Sequence, residues 1–163
     1  MTRDNIYKRL ALRLRLGLLN YDEDIEMVYE LVRLAEDSLL GEVISKDYSV
    51  PESMFSVDIE ELLKQEEIAV PSLQEAVLTQ AKECAHEIAN KRISPYKGVR
   101  QLSQLDGLLR DTEYKYTFID AIGLASAMED VPEGSEAHQE YDEKAVDLAV
   151  DILTWSHLPK QKS

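Results

Sequence analysis

A single cysteine, Cys84, excludes an internal disulfide and points to a reducing cytoplasm as the natural setting. Glycine (6) and proline (5) are sparse, which argues against a many-stranded all-β fold built on frequent tight turns. No run approaches the eighteen or so consecutive apolar residues that cross a bilayer. Nucleotide-binding glycine loops, a GxSxG elbow and a CxxC pair are also missing. What is present is an ordinary globular composition: 44% hydrophobic and 31% charged residues over 163 positions, enough for one domain with a substantial core.

The charge is strongly acidic, −14, and it is sorted into blocks. Residues 1–20 carry Arg3, Lys8, Arg9, Arg13 and Arg15 against Asp4 alone, a net of +4. Residues 21–87 sum to −14, and residues 88–105 return to +4 through Lys91, Arg92, Lys97 and Arg100. Residues 106–151 sum to −10, and Lys160 and Lys162 add +2. Such acidity disfavours nucleic acid and anionic membranes, whose binding draws on clustered Lys and Arg. A basic protein partner fits it better. The opening IYKRLALRLRLGLL is Arg-rich like a transit peptide, but it lacks serines and a cleavage site, so a folded helix is expected.

Periodicity predicts an all-α, single-domain helical bundle of five to seven helices over residues 1–158, followed by a polar tail at 159–163. Over 5–19 the alternating leucines suggest a strand, yet Leu, Ala and Arg are helix formers, and Ile6, Leu10, Leu14 and Leu18 line one helical face. A helix is expected at 23–40, capped by Asp22, with Ile25, Val28, Val32, Ala35 and Leu39 as its stripe and Gly41 as its stop. A loop at 42–55 and a short helix at 57–66 capped by Ser56 follow. Ser72 and Glu75 form a capping box that opens a helix at 73–91, which buries Leu73, Val77, Ala81, Cys84 and Ile88.

Ser94-Pro95 then reads as an N-cap with proline at the first helical position of a helix over 95–109. Within it, Gly98 implies close approach by a neighbour. Residues 114–128 are apolar nearly all round, which predicts a helix in the middle of the bundle. The last helix, 137–157, carries Tyr141, Ala145, Leu148, Ile152 and Trp155 along one stripe.

Few residues offer chemistry. Glu83 and His86 have the ExxH spacing of carboxylate-bridged metal bundles, but no second such pair exists, so His86 reads as a solvated surface residue. Cys84 lies on a core stripe without a histidine partner and reads as a small buried hydrophobe. Ser94 and Lys97 match an SxxK pattern without its companion motifs, leaving a helix cap. Asp120 stands in the most apolar helix; it reads either as one side of a structural ion pair or, with Arg92, Lys97 and Arg100, as a ligand site. Glu143, Asp147 and Asp151 form a row of like charge at i, i+4 and i+8, either a solvated face or a recognition surface.

The stretch from Ala85 to Glu136, with Ile88, Ile93, Gly98, Leu102, Leu105, Phe118 and the loop Asp130, Pro132, Gly134, resembles a family of small uncharacterised helical bacterial proteins. The resemblance covers about a third of the chain and rests on structural residues. It implies a bacterial helical fold and carries over no catalytic residue. Basic and aromatic positions of the family's later segment are acids here, such as Glu133 and Glu136.

Three functions follow as expectations. The first is a non-enzymatic cytoplasmic protein, immunity- or antitoxin-like, that presents Glu143, Asp147, Asp151, Asp22 and Glu23 to a basic protein, with no cofactor and no metal. The second is a small-ligand binder or enzyme with a site at Asp120, Arg100, Lys97 and Arg92. The third is a homo-oligomeric module, a homo-dimer in the simplest case, in which the basic first helix docks on an acidic face of a second copy.

Overall fold

A computed structural model describes residues 1–34 and 52–160. Among these the chain is all-α, with seven α-helices and no strand. None of the helices is long and apolar enough to cross a membrane. Contacts divide the chain into two compact units, Met1–Ala76 and Val77–Ser163.

The first unit opens with α1 (Arg3–Arg15), whose N-cap Thr2 accepts the Asn5 amide. Ile6, Tyr7, Leu10 and Ala11 are buried, a stripe at helical spacing that settles the strand-or-helix ambiguity of the leucine run. The helix is shorter than expected. Gly17 takes φ +66° and the Leu18 N–H reaches back to the Arg13 carbonyl at 2.9 Å, a Schellman stop that turns Leu18 out to solvent.

Helix α2 (Tyr21–Leu34) begins two residues earlier than expected, because Asn20 and not Asp22 is its cap. The Asn20 side-chain Oδ1 accepts the Asp22 N–H at 2.9 Å, and the Asp24 carboxylate accepts the Asn20 N–H at 2.8 Å. Ala35, Leu39 and Gly41, expected to extend and stop this helix, lie outside the described residues.

Helix α3 (Glu52–Gln65) also starts early: residues 52–55 are helical rather than loop, and Ser56 lies inside the helix rather than at its cap. Phe55, Ile59, Leu62 and Leu63 continue one apolar stripe, which draws Phe55 into the core edge-on to Tyr21 at 5.5 Å. Residues 42–51 of the expected loop lie outside the described residues.

Helix α4 (Leu73–Ala89) runs across the boundary between the units. The capping box forms as expected, with the Ser72 N–H donating to Glu75 at 2.9 Å and the Glu75 N–H donating to Ser72 Oγ at 3.2 Å. The Ser72 N–H, then its hydroxyl, holds the Glu75 carboxyl below its ordinary range. In the second unit α5 (Pro95–Asp106) is capped by Ser94, whose hydroxyl accepts the Lys97 N–H. The expected helix through Leu109 tightens after Asp106 into a 3₁₀ turn, Gly107–Leu109.

The expected helix over 114–128 begins only at Ile119, as α6 (Ile119–Glu129). Local side-chain bonds hold the preceding stretch in turns: the Thr112 and Thr117 hydroxyls donate to the Leu109 and Tyr114 carbonyls, and the Asp106 carboxylate accepts the Phe118 N–H. Nor is α6 buried all round. It packs through Ala121, Ala125 and Met128, while Ile119 and Ile122 are exposed. Helix α7 (Glu136–Thr154), capped by Ser135, buries Ala145, Ala149 and Ile152. The chain beyond it stays attached to its own unit, because Leu158 is buried and Lys160 pairs with Glu113 at 2.9 Å. Residues 161–163 lie outside the described set.

Candidate functional site

The first basic island is consumed within its own unit. Arg13 is held by three oxygens: Asp24 at 2.7 Å, Glu23 at 2.9 Å and the Leu18 carbonyl at 2.7 Å. Asp24 is 2% exposed, the one buried charged residue among those described. A buried carboxylate is costly unless paired, and here the guanidinium and the Asn20 N–H supply that pairing. Arg3 pairs with Glu66 at 2.9 Å, Lys8 with Asp4 at 2.7 Å, and Arg15 donates to the Pro71 carbonyl at 2.7 Å. Arg9 is likewise engaged. The sequence marks Asp24 only as an acid at the start of its helix; its burial was not read, although its helical register with Val28 and Leu31 was the available signal.

The second island is different. Lys91 and Lys97 are exposed and make no ion pair among the described residues. Arg92 makes only a loose surface contact with Glu87, at 3.3 Å. Arg100 is beside the Tyr96 hydroxyl, which donates to Glu129 at 2.9 Å and so links α5 to α6. The Glu129 hydrogen bond raises the Tyr96 pKa, and Arg100 opposes the shift.

Lys91 and Arg92 border a cleft of about 800 Å³ within the second unit. Ser94 belongs to the same border, and Ile88, Ile93, Pro95 and Val146 give the cleft apolar surface. The other wall is α7, through Asp142, Glu143 and Asp147. Its position follows from local structure. Lys91 takes φ 56° at the end of α4, and the Arg92 N–H reaches back to the Glu87 carbonyl at 2.9 Å, so the chain reverses at that point. Gly98 then admits the Ile88 side chain, since a Cβ there would collide with Ile88 Cγ1 and Cδ1. The sequence implied this approach.

The cleft joins residues that the sequence assigned to rival functions. Arg92 comes from the ligand-site expectation, and Glu143 and Asp147 come from the partner-binding one. Asp120 is exposed and does not line the cleft, and neither Arg100 nor Lys97 does. Asp151 lies outside it and accepts the Trp155 indole N–H at 3.3 Å. Asp22 and Glu23 belong to the other unit, and Glu23 is taken up by Arg13. Asp142 was missed altogether. Its Oδ2 is 3.4 Å from His138 Nδ1, while its Oδ1 is shielded from solvent with no hydrogen-bond partner.

Two other candidates have structural surroundings. Cys84 is buried, its Sγ–H donates to the Gly98 carbonyl at 3.3 Å, and burial, reinforced by Glu87, pushes its pKa up to about 11. At neutral pH it is a thiol, the opposite of what a nucleophile requires. His86 is exposed beside Asn90. No three His, Cys, Asp or Glu side chains among the described residues are grouped to hold a metal ion.

No protein-family model matches the chain, and neither a curated protein nor a solved structure matches it.

Proposed function

We propose that this protein is a non-enzymatic binding protein whose acidic α7 face engages a basic protein partner in the manner of an immunity or antitoxin protein. One observation supports the reading above the others: Glu136, Glu140, Glu143 and Asp147 are exposed on one helix and make no ion pair among the described residues. The arginines of α1 already have partners within their own unit, which leaves them poorly placed to neutralise α7 of a second copy in a homo-dimer. Carboxylates in such a row raise the local concentration of a cationic partner and speed encounter at low ionic strength. A cytoplasmic bacterial setting, implied by the single cysteine and the family resemblance, belongs to the same reading.

The test is affinity capture from the native host with the wild-type chain and with an E140Q/E143Q/D147N variant in parallel, followed by salt elution. The expected outcome is a basic protein retained by the wild type, released by salt, and lost from the variant. A set of captured proteins identical for the two baits would end the reading.

A further inference from the structure

We propose that the cleft between the α4–α5 turn and α7 binds a free α-amino acid with a cationic side chain, of the arginine or lysine class. The cleft carries both signs of charge on separate elements, Lys91 and Arg92 on the turn and Asp142, Glu143 and Asp147 on the helix. No ion pair joins the two walls among the described residues, although the side chains share one cavity. A ligand that complements them must therefore be dipolar. Arg92 already contacts Glu87 and Asp142 contacts His138, so the lining side chains without an ion pair among the described residues are two carboxylates, Glu143 and Asp147, against one cation, Lys91. That sets the ligand's net charge at positive, as in an amino acid with one carboxylate and two cationic groups.

The remaining features fit the same class. Ile88, Ile93 and Val146 offer apolar surface to an aliphatic stem, and about 800 Å³ is within the range of small-ligand clefts. The α-carboxylate is directed to Lys91 and Arg92, where a guanidinium can grip it with two parallel hydrogen bonds. The two cationic groups are directed to the α7 carboxylates. Asp142 Oδ1, shielded and without a donor, is an acceptor that a small shift of the side chain would present to an ammonium or guanidinium group. The walls are held in place from behind by the Lys91 reversal and the tight Ile88–Gly98 contact.

Isothermal titration of the full chain with L-arginine, L-lysine, agmatine, L-glutamate and the blocked peptide acetyl-Gly-Arg-Gly-amide tests the assignment. Arginine and lysine are expected to saturate, agmatine (which lacks the carboxylate) to bind about tenfold more weakly, and glutamate not to bind. K91Q/R92Q is expected to weaken arginine by about tenfold and leave agmatine unchanged, whereas D142N/D147N weakens both. Amide chemical shifts of Ile93 and Val146 should move on arginine addition to the wild type. Failure of arginine and lysine to saturate at millimolar concentration would overturn the proposal, as would equal affinity for agmatine and arginine. So would tighter binding of the blocked peptide, which would assign the cleft to a side chain of a protein partner. Glu143 and Asp147 belong to both readings, but partner capture does not depend on Lys91 or Arg92, so K91Q/R92Q separates failure of this site from failure of the partner reading.

Discussion

The two basic islands carry the same net charge of +4 in sequence and opposite conditions in the fold. In the first, Arg13 sits against the buried Asp24 and ties the end of α1 to the start of α2. In the second, Lys91 and Arg92 stand exposed at the edge of a cleft whose apolar surface comes from Ile88, Ile93, Pro95 and Val146. The contrast teaches that a charge block is not a functional unit. A cation becomes structural when a short reversal such as Leu16-Gly17-Leu18 returns the chain so that acids of the next helix face it. It stays available when the reversal brings back an uncharged segment, as Ile93-Ser94-Pro95 does after Lys91 and Arg92.

Removing one cation from each island is the most forceful way to break this comparison. Arg13→Ala leaves Asp24 buried without its guanidinium and is expected to lower stability by about 3–5 kcal/mol. Arg92→Gln removes an exposed side chain and a 3.3 Å surface contact, and is expected to change stability by less than about 0.5 kcal/mol. Urea titrations of the two variants beside the wild type give both numbers. Similar midpoints for the two would erase the distinction between the islands.

A smaller effect sharpens what lies beneath the second island. A methyl group added at Gly98 meets Ile88 Cγ1 and Cδ1 directly and Ile93 Cδ1 at 3.2 Å. Because Ile88 is 1% exposed, it has little room to yield, and Gly98→Ala is expected to cost about 1–3 kcal/mol. Ile88→Ala alone leaves a cavity, but in the double variant the new methyl partly fills it. The double variant should therefore be more stable than the two single losses predict, which thermal melts of the four proteins would measure. Strict additivity would show that the close approach of α4 and α5 does not rest on this contact.

The sequence revealed most where neighbours in the chain decide the outcome. The Ser72–Glu75 box and the Ser94-Pro95 start of α5 fall where expected, because a cap is made by residues within one turn of each other. The start of α6 was not legible from hydrophobic periodicity. Thr112, Thr117 and Asp106 take backbone partners that compete with helix, and that competition outweighs the apolar character of residues 114–118. The Asn20 cap of α2 was hidden for a similar reason, since Asn20 and Asp22 are both good cap residues and only the Asp24 bond decides between them. The cleft was the least legible feature. Its two walls are distant in sequence, and each looked like a solvated charge cluster until the packing of α4, α5 and α7 placed them around one space.

The left-handed helix stops give the smallest effect and the finest contrast. The first unit ends α1 with glycine at this position, Gly17, but ends α3 with Glu67 at φ 55°, and the second unit ends α4 with Lys91 at φ 56°. A residue with a Cβ pays about 1 kcal/mol for that conformation relative to glycine, which adopts it freely. Glu67→Gly and Lys91→Gly are therefore each expected to raise stability by up to about 1 kcal/mol, read as a shift of the urea midpoint. They should then part company. Glu67 is exposed and does not line the cleft, so its replacement should leave arginine titration unchanged, whereas Lys91→Gly should weaken it. Gain of stability together with loss of arginine binding on Lys91→Gly would assign the role of Lys91 to its ammonium group and not to the helix stop. If Lys91→Gly stabilised the protein and left arginine titration intact, Lys91 would be no different from Glu67, and the second island would lose its claim to a separate role.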